Sequence, residues 1–189
     1  AYGLDMTDEM LAVVWANQRA AGNTNVEFLK EEIEAIPLPD NLVDVIISNC
    51  AINLSGDKDR MLAEAFRVLR SGGRLAVSDV VRRREVSAAL QRSVELWIGC
   101  VAGALHEHEH EKEYRGKLAG SGFEEVGVEP TRIYQADDAR AVLTAAGFPA
   151  DAGTEVDGAF MSAFVRAVKP CAVGSSLETG SLRHGAGVA

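Results

Sequence analysis

Leu42-Val43-Asp44-Val45-Ile46-Ile47-Ser48-Asn49-Cys50 is the stretch that decides the fold. Val43, Val45, Ile46 and Ile47 form a β-branched run, the mark of a strand buried on both faces of a parallel sheet. Just before it, Ile36-Pro37-Leu38-Pro39-Asp40-Asn41 is turn chemistry, since proline fixes φ while Asp and Asn favour turns. Just after it, Leu62, Ala65, Phe66 and Leu69 line one face of a helix over residues 59–70. Ser71-Gly72-Gly73 stops that helix, and the glycine pair reads as a terminator, not a phosphate cradle. Leu75, Val77 and Val80 give the next strand, ending near Asp79.

Upstream, residues 26–29 read as a strand, and Met10, Leu11, Val14 and Trp15 recur at helical spacing. Thr7 can cap that helix, Asp8 and Glu9 lie in its positive first turn, and Gly22 closes it. Residues 1–4 look like the last turn of a buried strand that finishes at Asp5, cut within the strand. Strand, helix, strand in alternation predicts an α/β doubly wound sheet. The pattern changes downstream. A helical segment over residues 86–105, a His- and Glu-rich stretch and a helix over 114–118 are followed by a strand at 126–130. A short helix over 139–145 and a final strand over 159–168 complete an α+β extension. The tail from Lys169, rich in Gly, Ser and Ala, reads as disordered. The expected division is residues 1–82, 83–168 and a flexible tail over 169–189.

A net charge of −9 over 189 residues argues against general nucleic-acid binding, which needs concentrated Lys and Arg. The one basic cluster, Arg82-Arg83-Arg84, is short, is followed by Glu85 and reads as a solvated turn. No apolar run approaches the ~20 residues a membrane-spanning helix requires. Three cysteines and no secretion signal favour thiols in a reduced cytoplasm over a disulfide framework.

Asp5 stands at a strand's carboxyl end, where open α/β sheets bind ligands, and a carboxylate there can accept both ribose hydroxyl hydrogens. A plain helix-start turn would use the same residue. Gly3-Leu4-Asp5-Met6-Thr7, Pro39 to Ser48, and Leu69-Arg70-Ser71-Gly72-Gly73-Arg74-Leu75 together resemble the class I S-adenosylmethionine-dependent methyltransferases. The resemblance implies a Rossmann-like sheet that lacks its first strand and the glycine-rich cofactor loop. It implies that Asp5 binds ribose, that Met6, Ile33 and Glu34 shape the adenine pocket, and that Asn49 joins the cofactor contacts.

Cys50 lies at the end of the deciding strand, and Cys100 lies in Gly99-Cys100-Val101-Ala102-Gly103-Ala104. For either alone, a buried small hydrophobe is the default reading. Yet Ser48-Asn49-Cys50-x-x-Asn53-Leu54, Phe66-Arg67-Val68-Leu69, Val77-Ser78-Asp79-Val80 and the Cys100 segment together resemble arsenite methyltransferases. The resemblance extends through Gly122-Phe123 and Val128-Glu129-Pro130-Thr131-Arg132. It implies that Cys50 and Cys100 are the catalytic, arsenic-binding thiols, soft ligands matched to a soft centre. The arsenic lone pair would then attack the sulfonium methyl of S-adenosylmethionine without a general base. A third arsenic cysteine of that family lies upstream of Ala1, so methylarsenite, which needs only two sulfurs, suits this chain better than arsenite. A thiol reductant, glutathione or thioredoxin, would return As(V) to As(III). Cys171 reads as a stray tail thiol or a scavenging one. His106 and His110 would share a helix face at metal-ligand spacing, but alternation with Glu107 and Glu109 favours a solvated segment. The alternatives are a small-molecule C- or O-methyltransferase and a non-catalytic arsenic-binding fragment.

Overall fold

The computed structural model describes residues 1–88, 111–145, 147 and 152–171. Among them, six strands fall into two sheets. Strands β1 (Tyr2–Asp5) and β2 (Glu27–Lys30) pair in parallel, joined by helix α1 (Asp8–Ala21). The larger sheet has the order β3-β4-β6-β5, with β3 at Val43–Asn49, β4 at Leu69–Arg82, β5 at Glu124–Ile133 and β6 at Phe160–Val168. Helix α2 (Lys58–Val68) connects β3 to β4, which run parallel, whereas β6 is antiparallel to both its neighbours. Three more helices follow among the described residues: α3 (Glu111–Gly120), α4 (Ala136–Ala145) and α5 (Ala152–Val156).

A cleft of about 780 Å³ separates the two sheets, lined by Gly3 and Leu4 of β1 and by Val45, Ile47 and Asn49 of β3. This is the arrangement expected of a doubly wound sheet without its first strand. It overturns one expectation about the deciding stretch. Strand β3 is not buried on both faces: Ile47 is 82% exposed and Val45 41%. The β-branched run is real, but β3 is hydrogen-bonded to β4 alone, and its other edge faces the cleft. Helix α1 shows the same effect, for only its Leu11 is buried while Met10 and Trp15 stay exposed.

The main core fills the space beside the larger sheet. Leu62 and Ala65 of α2, Leu75 and Val77 of β4, Tyr114 and Leu118 of α3, and Ala163 and Val165 of β6 form one buried cluster. Residues on either side of position 82 therefore share a sheet and a core. Phe66 meets Phe123 edge-on with ring centroids 5.1 Å apart, which locks α2 against the entry to β5.

Three local expectations are corrected. Ser71-Gly72-Gly73 does not stop the helix, because α2 ends at Val68 and β4 begins at Leu69. The glycines instead carry the strand through a register shift opposite Val43 and Val45, with Gly72 at φ +75°. The basic cluster is a solvated turn only in part: Arg82 is fully buried at the end of β4, whereas Arg83 and Arg84 beyond it are exposed. Arg83 donates to the carbonyl of Gly158, and Arg84 to those of Thr154 and Asp157. The start of the tail is not loose either. Lys169 Nζ donates to Asn41 Oδ1 and to the carbonyls of Phe66 and Leu69, and it lies over the Phe66 ring. The segment over residues 89–105, Cys100 and the His106–His110 run lie outside the described residues.

Candidate active site

The carboxyl ends of β1, β2 and β3 bring most of the candidate residues to the loops beside the cleft. Asp5 ends β1, and its Oδ1 accepts both the backbone N–H of Thr7 at 2.8 Å and the Thr7 hydroxyl at 2.7 Å. Those two bonds hold the Asp5 carboxyl below its ordinary range. Thr7 spends its side chain on Asp5 and makes no side-chain cap bond to α1. The turn reading and the ligand reading of Asp5 are thus compatible, since the turn engages a single carboxylate oxygen. Met6 follows it and is exposed.

The loop after β2 is built on α2. Arg67 donates from Nε and Nη2 to Glu64, from Nη2 to the carbonyl of Ile36, and from Nη1 to the carbonyl of Leu38 and to Asp40, all at 2.7–2.8 Å. Glu64 returns the link by accepting from the backbone N–H of Ile36. The guanidinium beside it keeps the Glu64 carboxyl low. A bidentate fork of this kind fixes a loop in a way that a lysine ammonium cannot. Ile33 packs on the main core and lines the cleft. Glu34 does not extend freely toward a ligand. Its carboxylate accepts from the Ser55 hydroxyl, and its carbonyl accepts from Arg60 Nε at 3.0 Å. The loop after β2 is therefore tied to the loop after β3, which sequence reasoning did not foresee.

Strand β3 ends at Asn49, which lines the cleft, and the loop after it begins with Cys50, which is half-buried. Cys50 has φ +58°, a left-handed conformation that costs a non-glycine residue on the order of 1–2 kcal/mol. Its backbone N–H donates to the carbonyl of Ser78 in β4 at 2.9 Å. A short 3-10 helix, Ile52–Leu54, then leads into α2, whose N-cap Asp57 accepts from the N–H of Arg60. Beneath this loop lie three buried polar residues, Asn53, Lys58 and Asp79. Asn53 Nδ2 donates to the carbonyl of Val80 at 2.8 Å, and Asp79 Oδ1 accepts from the N–H of Val80 at 2.9 Å. Burial pushes Asp79 up to about 7, against the pull of the Val80 N–H and of the Lys58 charge. The signal that could have found Asp79 was a carboxylate inside the apolar run Val77-Ser78-Asp79-Val80; it was read as a strand end.

Chemically, this edge offers an acceptor at one strand end, an apolar wall and a soft thiol at another strand end. The donor set fits the ribose end of a nucleoside cofactor. No group of three or more His, Cys, Asp or Glu residues suited to a metal ion occurs among the described residues. No helix among them is long and apolar enough to cross a membrane.

A family described as a methyltransferase domain matches residues 1–137. The chain belongs to that family. An arsenite methyltransferase of Halobacterium salinarum is 39% identical over 128 residues, covering 68% of this chain and 32% of the relative. One from Aquipseudomonas alcaligenes is 41% identical over 116 residues, covering 58% and 34%. The chain thus spans about a third of the curated relatives it matches. A crystal structure of an arsenic(III) S-adenosylmethionine methyltransferase from Chlamydomonas reinhardtii superposes with a TM-score of 0.65 at 28% identity. That match covers 92% of this chain and 56% of the algal one. A ubiquinone/menaquinone C-methyltransferase of Pasteurella multocida is 40% identical over 74 residues, covering 39% and 28%. The methyltransferase fold of the chain is therefore Rossmann-like, as its strand and helix order predicts.

Proposed function

We propose that this chain is part of an arsenic(III) methyltransferase that uses S-adenosylmethionine, with Cys50 and Cys100 as the thiols that hold the arsenic. The observation that carries this reading is the position of Cys50, directly after β3 in a loop fastened to β4, in a chain similar to arsenite methyltransferases. Asp5 takes the ribose through the carboxylate oxygen that Thr7 leaves open. Met6, Ile33 and Asn49 supply the surfaces beside it. Glu34, bonded to Ser55, serves this pocket by holding the adenine-side loop against the thiol loop. The bound cofactor supplies an electrophilic methyl group.

The protein's own task is to hold and aim. Thiolates of Cys50 and Cys100 bind trivalent arsenic as substrate, arsenite or methylarsenite. Orientation is then most of the catalysis, since arsenic held by sulfur keeps its lone pair and needs no base. A small thiol or thioredoxin restores As(III), and the setting is the reducing cytoplasm. Detoxification of arsenic is the physiological role that follows. The test is methyl transfer to methylarsenite by the full-length protein carrying Cys50→Ser or Cys100→Ser. We expect loss of at least a hundredfold in each; activity within twofold of the parent would refute the assignment.

The likeness to a quinone C-methyltransferase supports a second reading, methylation of a carbon centre in a small metabolite. Under that reading Cys50→Ser leaves the reaction intact, and trivalent arsenicals do not bind.

A further inference from the structure

A carboxylate beside a ligand pocket would ordinarily be left to ligand or solvent, yet that of Glu34 is spent on the opposite loop. Glu34 is half-buried and accepts from the hydroxyl of Ser55, which is itself buried. The same hydroxyl accepts from the N–H of Asp57 at 3.2 Å, at the N-cap of α2, so it is fixed from both sides. From there α2 carries the loop after β2 along one stripe. Arg60, Glu64 and Arg67, at helical spacing, bond the carbonyls of Glu34, Ile36 and Leu38 and the N–H of Ile36. The Arg67 fork secures the far part of that loop, whereas Glu34, next to the cleft-lining Ile33, is held by Ser55 and Arg60. Toward the thiol, the connection is stiff. Ser55 N–H donates to the Ile52 carbonyl, Leu54 N–H to that of Ala51 and Cys50 N–H to that of Ser78. Asn53 Nδ2 fastens the same turn to Val80. A displacement of Ser55 is therefore felt at Cys50 on one side and at Ile33 on the other.

We propose that the Glu34–Ser55 bond couples the two halves of the site, with Ser55 as the positioning residue through which a filled cofactor pocket organises the Cys50 loop and a held arsenical organises the loop after β2. This inference rests on the reading of Cys50 as an arsenic ligand. Its two states are the bond made, with both loops in place, and the bond broken, with each loop independent. Each ligand favours the first state, so each raises the affinity of the other, and by the same factor. The bond needs an acceptor at position 34, not a charge, so glutamine there keeps it. It needs a hydroxyl at position 55, which alanine removes.

The test is calorimetry on the full-length protein with two ligands. Phenylarsine oxide is a trivalent arsenical that takes two thiols, and S-adenosylhomocysteine fills the cofactor pocket without a methyl group to transfer. In the parent, saturation with either tightens binding of the other at least threefold. In Ser55→Ala this coupling factor falls below twofold, and in Glu34→Gln it stays at threefold or more. Should Ser55→Ala fail to fold, Glu34→Ala carries the same expectation. A parent factor under threefold overturns the coupling, as does a factor of twofold or more in the folded alanine variant, or its loss in Glu34→Gln. An alanine variant that binds both ligands more weakly with its factor unchanged has a general structural defect, and that result also overturns the inference. Cys50→Ser tests the arsenic reading separately. Phenylarsine oxide affinity equal to the parent's removes that reading and the coupling with it, so the two failures are distinguishable.

Discussion

Two carboxylates of this chain behave in opposite ways because their surroundings differ. Asp5 is open to water and receives two donors from Thr7, which favour its charged form. Changing Asp5 to Ala should leave folding largely intact and weaken S-adenosylmethionine binding at least tenfold, as titration calorimetry would read. An unaltered affinity would remove Asp5 from the ribose site. Asp79 is closed off, and desolvation pushes it up to about 7. Its folded-state value therefore lies above the unfolded one, so it contributes stability at low pH that is lost as pH rises through about 7. The slope approaches at most roughly 1.4 kcal/mol per pH unit while the native state alone stays protonated. Lys58 is the charged group that opposes this from α2. In Asp79→Asn, the melting temperature should fall less between pH 5 and 8 than it does in the parent. Parallel curves would show that Asp79 does not titrate there. Neither behaviour was visible in the sequence, where both residues were simply acids at strand ends.

Elements were more legible than their surroundings. The β-branched run at Val43–Asn49 and the apolar periodicity before Val68 are local properties, and local properties put strands and helices in place. Which face each element buries depends on what lies opposite, and that is not written in its own residues. Ile47 is as β-branched in an open cleft as it would be in a closed core. The Cys50 loop was legible as a strand-end segment with a thiol, yet its ties to Ser78 and Val80 join residues far apart in the chain. Arg67, noted first as part of a motif, proves to be the hub that holds the loop after β2. In the turn from α3 into β5, Gly122 alone can serve. It has φ +95°, and a Cβ would come within 3.0 Å of the Phe66 ring. Gly122→Ala should cost about 2 kcal/mol, as the backbone penalty adds to displacement of Phe66. Denaturant unfolding would measure it, and a change under 0.5 kcal/mol, roughly the scale of a neutral surface substitution, would contradict this account.

At the scale of the whole molecule, the chain is a broad α/β body joined to a narrower one across a cleft. β4 and β6 are the centre of the broad body, and their inward side chains are fully buried. β1, β2 and α1 reach that body through Ile33, the Glu34–Ser55 and Arg60–Glu34 bonds, and the Arg67 fork. The cleft between them has a consequence for how the chain opens under native conditions. A pair of four-residue strands flanked by a helix that buries Leu11 alone has little to resist local unfolding. Backbone amides in β1 and β2 should exchange with deuterium at least tenfold faster than those in β4 and β6, which open only with the whole domain. Peptide-resolved exchange would show two cooperative units whose boundary runs along the cleft, and uniform protection across both sheets would show one. A nucleoside gripped at Asp5 would then slow exchange in the weaker unit first, so that the part of the protein that reads the cofactor is also the part that cofactor binding consolidates.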